Sequence, residues 1–93
     1  MKDPGRAESP EFLAMRQRIV DLYAGATGER FDADEELFVV DFVAVWRAVL
    51  EQLELGSEDE PIPRWMGLES AAEFETPQRL TEFLWMQGVR FPS

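Results

Sequence analysis

The sequence predicts an all-α domain, a small four-helix bundle with three longer helices and one short one. Two observations carry that expectation. Apolar residues recur at three- and four-residue steps in separate stretches, and Ser-Pro and Thr-Pro pairs stand where two of those stretches begin. In Ser9-Pro10-Glu11 the serine can accept a hydrogen bond from a free backbone N–H, and proline is preset for the first helical position. The glutamate suits the positive end of a helix. Phe12, Met15, Ile19, Leu22, Tyr23 and Ala26 then share one stripe, with Arg16, Gln17, Arg18 and Asp21 mostly off it. This pattern predicts an amphipathic helix over 10–25, ended by Gly25 and Gly28.

Residues 27–36, TGERFDADEE, form a polar acidic connection with one core candidate, Phe31. The most apolar segment follows at 37–55, LFVVDFVAVWRAVLEQLEL. The β-branched and aromatic residues of FVVDFVAVW suit a strand. The segment's length, its RAVLEQLEL ending and its lack of glycine or proline favour a helix, which is the preferred reading. Two starts remain open, one from Glu35 with Asp34 as cap and one from Phe42 with Asp41 as cap. On the shorter version Val43, Trp46, Val49, Leu50 and Leu53 line the inner face, with Arg47, Glu51 and Glu54 towards solvent. Gly56 to Pro63 is expected to stop that helix and form an exposed acidic loop.

Arg64 to Glu73 is expected to be one short helix with Trp65, Met66, Leu68 and Ala72 inward. Thr76-Pro77 opens the last helix, where Leu80, Phe83, Leu84 and Val89 keep helical spacing and Gly88 closes. The organisation that results is a disordered lead over 1–9, one helical domain over 10–89 and a tail over 90–93.

Composition narrows the function. The 93 residues can bury one modest core, to which seven Phe and three Trp contribute. Nineteen acidic against nine basic residues leave a net charge of −10, which would repel a nucleic-acid backbone or an anionic membrane and favours a basic protein surface. Cysteine and histidine are absent, so disulfides, thiolate nucleophiles, the usual zinc ligand sets and Ser-His or Cys-His catalysis are excluded. The first nine residues are polar, without the apolar region of a signal peptide, and no apolar run approaches a membrane span. The expected compartment is the cytoplasm.

The order of helix, long loop, central helix, Ile-Pro loop, short helix and Thr-Pro start resembles the acyl and peptidyl carrier proteins over residues 11–87. The clearest local match is EFETPQRLTEFL at 73–84, which is also similar to D-alanyl carrier proteins. Glu36-Leu37-Phe38 resembles the loop phenylalanine that precedes the attachment site, and Pro61-Ile62-Pro63 the Ile-Pro after the second helix. The resemblance implies a four-helix carrier-like fold. It also implies a phosphopantetheine-bearing serine in Asp-Ser-Leu at the start of the second helix. Here the matching positions read Val40-Asp41-Phe42-Val43, and phenylalanine has no hydroxyl to accept a phosphodiester. The stretch from Phe38 to Asp41 is also shorter than the family's and lacks its usual glycine. Ser70, in Met66-Gly67-Leu68-Glu69-Ser70-Ala71, imitates an attachment site but leaves too little chain after it for the remaining helices.

Each candidate has two readings. Asp41-Phe42 is a degenerate attachment site that a partner still recognises, or an N-cap followed by a core phenylalanine. Asp32, Asp34, Glu35 and Glu36, with Glu58, Asp59 and Glu60, are a docking face for Arg and Lys or a solubilising surface. Calcium at DADEE would lack the glycine and closing glutamate of an EF-hand loop. Trp46, Trp65 and Trp85 suit core packing, while an exposed patch at Trp85-Met86 with Phe91 would mark a partner surface or a homodimer contact. No two carboxylates are placed in an apolar cleft by the sequence, so no catalytic residue, metal ligand or cofactor is assigned.

The expectation is therefore a non-catalytic, carrier-like docking or scaffolding partner for enzymes of fatty-acid, polyketide or nonribosomal peptide assembly, without phosphopantetheine. Its partner-binding candidates are Asp32, Asp34, Glu35, Glu36, Asp41, Phe42, Val43 and Arg47. The alternative is an acidic helical inhibitor or immunity-type protein that binds a basic site on one target.

Overall fold

The computed structural model describes residues 9–92, so most of the lead expected over 1–9 lies outside the described residues. Among these the secondary structure is helical, with no strand. Three α-helices, α1 (Pro10–Thr27), α2 (Phe42–Gln52) and α3 (Pro77–Met86), are joined by 3-10 stretches at Val39–Asp41, Arg64–Met66 and Leu68–Phe74.

Both Xaa-Pro starts behave as the sequence predicts. Ser9 Oγ accepts from the Phe12 N–H at 3.3 Å, and Thr76 Oγ1 accepts from the Arg79 N–H at 3.0 Å. α1 runs past Gly25 to Thr27, two residues beyond its expected end, and stops at Gly28, which adopts φ 76°. α3 ends where Gly88, at φ 76°, donates to the Trp85 carbonyl and Val89 donates back to Leu84 at 3.0 Å. That pair of bonds satisfies two of the carbonyls that a helix end leaves free.

α1 packs against both α2 and α3, and the 68–74 stretch closes the remaining side against α2 and α3. The core joins Met15, Ile19 and Tyr23 of α1 to Val45, Val49 and Leu50 of α2, Leu80 and Leu84 of α3, and Phe31, Met66 and Phe74 from the connections. Phe31 sits in the core as expected, its ring 5.2 Å from that of Tyr23.

Three expectations need correction. First, α2 takes the shorter start, at Phe42, but Asp41 makes no side-chain cap and the preceding turn is 3-10. This phase turns Val45 inward, while Val43, expected on the inner face, is 45% exposed. Second, α2 stops before Gly56. Glu54 takes the left-handed conformation at φ 58°, and Leu55 donates back to the Leu50 carbonyl at 2.9 Å. Third, Arg64 to Glu73 is not one helix. Gly67 is extended at ψ −177° and separates two 3-10 stretches. Met66, Ser70 and Phe74 face inward, while Leu68 and Ala72, expected inside, are exposed. A single α-helical register carried across Gly67 misses that break.

Candidate functional site

The acidic connection leads directly into the start of α2, both carry exposed residues, and bonds from distant parts of the chain hold them. The Gln78 N–H in the first turn of α3 donates to the Ala33 carbonyl at 2.9 Å, and the Leu37 N–H donates to the Glu75 carbonyl at 2.7 Å. The first bond satisfies an N–H that no helical partner could reach. Gln78 Oε1 also accepts from the Arg16 guanidinium at 2.9 Å, which ties the same corner to α1. With Phe31 buried and Leu37 packed on the core, the carboxylates of Asp32, Asp34, Glu35 and Glu36 are left in solvent. None of the four makes an ion pair among the described residues.

Between Leu37 and Phe42 the chain turns outward. Phe42 is the inward anchor on the far side, its ring edge-on to Phe74 at 5.3 Å and stacked with Trp46 at 6.4 Å. The 3-10 turn between these anchors, closed by the Asp41 N–H on the Phe38 carbonyl at 2.9 Å, projects three apolar side chains into water. Phe38 is 74% exposed, Val39 88% and Val40 84%. Val43 continues the surface one turn into α2, and Arg47 lies exposed a further turn on, with no ion pair among the described residues.

The predicted partner-binding residues are thus brought together in part. Asp32, Asp34, Glu35, Glu36 and Val43 share the exposed surface, and Asp41 is half-buried at its edge. Phe42 is half-buried against Phe74 and Trp46. Sequence reasoning missed Val39 and Val40 and noted Phe38 only for its resemblance to a loop residue. The available signal was the run Phe38-Val39-Val40 between residues that both had to reach the core.

The other singled-out residues have structural partners. The Ser70 side chain is buried, and its hydroxyl donates to the Gly67 carbonyl at 2.6 Å. Trp46 Nε1–H donates to the Met66 carbonyl at 2.8 Å, and Trp65 meets Phe83 edge-on at 5.8 Å. Trp85 is half-buried against Phe12, with the Arg90 guanidinium 3.6 Å from its ring centre; Phe91 is similarly covered by Arg18. The patch expected at Trp85, Met86 and Phe91 therefore reduces to Met86 as its fully exposed member. No group of three or more carboxylates able to hold a metal ion occurs among the described residues, those of DADEE included. No helix there is long and apolar enough to cross a membrane.

Comparisons with protein-family models, with curated proteins and with solved structures find no match to this chain.

Proposed function

We propose that this chain is a non-catalytic, carrier-protein-like docking domain that serves enzymes of a carrier-dependent pathway of the fatty-acid, polyketide or nonribosomal peptide type without itself being acylated. The observation that carries the reading is Phe42. It opens α2 directly after Asp41, where the resemblance puts the attachment serine, and its ring lies between Phe74 and Trp46. The element order also supports it: a long first helix, a long pinned connection, a central helix, a short helical connection and a Thr-Pro start to the last helix. On this reading the domain binds through a basic surface of the partner, and the chemistry belongs to that partner.

Co-expression with a broad-specificity phosphopantetheinyl transferase, followed by intact-mass measurement, tests the non-acylated half. An unchanged mass is expected, and a gain of one phosphopantetheine would overturn it. Affinity purification from the native host tests the pathway half. Recovery of a carrier-dependent synthase is the expected result, whereas recovery of a single toxin or nuclease would replace it with the inhibitor reading.

A further inference from the structure

The geometry points to Phe38, Val39 and Val40 as the anchor of this docking surface, with an apolar pocket bordered by Lys and Arg on the partner protein as its occupant. The inference rests on the docking reading above and adds to it which residues grip and what they grip. Phe38, Val39 and Val40 are three adjacent exposed apolar side chains, whereas the other large ones that are exposed, Leu13, Val43, Ile62, Leu68 and Met86, stand apart from one another in the sequence. Leu37 is tied to Glu75 and Phe42 is packed on Phe74, so both ends of the turn are held. An exposed apolar patch of this kind is a recurrent mark of a protein interface, whose centre is apolar and whose rim is polar.

The charge around the anchor selects the occupant. Between Arg30 and Arg47 the sequence carries five carboxylates (Asp32, Asp34, Glu35, Glu36 and Asp41) and no cation. The four in the connection precede the turn and make no ion pair among the described residues, Glu35 accepting only from the Asp32 N–H at 3.3 Å. An anionic lipid surface would be repelled. So would a second copy of this chain, which would bring the same carboxylates to the contact and the same net charge of −10. A pocket with basic residues on its border is steered onto the anchor by that field and then desolvates the three side chains.

The test uses the whole protein in its native host, with Val39 replaced by photoreactive p-benzoylphenylalanine and, in a separate variant, Met86 replaced in the same way as a control at another exposed apolar site. The captured peptides are sequenced by mass spectrometry. The expected result is capture from position 39 of one protein, at an apolar segment flanked by Lys or Arg. Capture should fall about tenfold in Val40→Ser, and similarly in the double variant Glu35→Lys with Glu36→Lys or at high salt. Each variant should keep its helical circular dichroism and melting temperature, because the altered side chains are exposed.

Capture of another copy of this chain, of lipid, of a segment without cations, or of nothing at position 39 would overturn the inference. The identity of the captured protein is a separate readout. A basic-bordered apolar segment on a protein outside carrier-dependent synthesis keeps the anchor and removes the proposed pathway. A carrier-dependent enzyme captured from position 86 alone keeps the pathway and removes the anchor.

Discussion

The Tyr23 hydroxyl donates to the Phe74 carbonyl oxygen at 2.9 Å, joining the C-terminal part of the chain's first helix to the stretch that precedes its last. Both side chains are buried, and Tyr23 also packs against Phe31, the anchor of the acidic connection. Phe74 in turn supports the ring of Phe42 at the start of α2. One hydrogen bond thus lies under both ends of the proposed docking surface. Tyr23→Phe removes the donor and leaves a carbonyl without its partner, so a loss of about 1–3 kcal/mol is expected in urea denaturation. Amide exchange in 31–42 should rise more than in the last turn of α3, because the deleted bond supports that surface.

The same burial gives a pH dependence. Desolvation pushes the Tyr23 phenol above its ordinary range, so the folded protein keeps it protonated. An unfolded chain ionises its tyrosine at about pH 10. The sign follows: with the folded pKa raised, this contribution is fully present below the unfolded pKa and is lost as pH rises through and beyond it. Tyr23 is the chain's one tyrosine, so the change in tyrosinate absorbance with pH reports it alone. In an alkaline titration that absorbance is expected to appear together with loss of helical circular dichroism. Ionisation while the helices remain intact would show an accessible hydroxyl.

Glu54 holds a left-handed conformation at the end of α2, where helices commonly place glycine. A residue with a Cβ gives up about 1–2 kcal/mol in that conformation. Glycine removes that cost, partly offset by the greater freedom of the unfolded chain. Glu54→Gly is therefore expected to stabilise the protein by about 1 kcal/mol in chemical denaturation. Glu54→Ala, which keeps the Cβ, should give no comparable gain. Equal gains in both variants would assign the effect to the glutamate's charge instead of its backbone.

Much of the fold could be read from local chemistry. Ser9 and Thr76 cap the helices they precede, and the stripe of Phe12, Met15, Ile19 and Tyr23 faces the core as its spacing requires. The parts that could not be read depend on contacts between distant residues. Val43 and Val45 are equivalent in type, and the one that faces inward is set by the 3-10 turn at Val39–Asp41. That turn is held on one side by Leu37 on Glu75, a bond across 38 residues of sequence. The acidic half of the proposed docking surface was legible because charge needs no partner to be exposed. Its apolar half was not, because local pattern assigns an apolar run to the core unless its anchors are known.

A comparison of apolar positions within that run separates packing from docking. Val45 is fully buried, and Val45→Ala is expected to cost about 2 kcal/mol through lost burial and the cavity left behind. Phe42→Ser should cost at least as much, since its ring contacts Phe74 and Trp46. Val39, almost wholly in solvent, makes the opposite case: Val39→Ala should change stability by less than about 0.5 kcal/mol. Denaturation midpoints for the three variants decide the matter directly. A Val39→Ala loss as large as that of Val45→Ala would mean that the turn folds onto the core in solution, leaving no outward anchor. A loss confined to Val45 and Phe42 leaves Val39 without a stabilising role, as an anchor held for a partner requires.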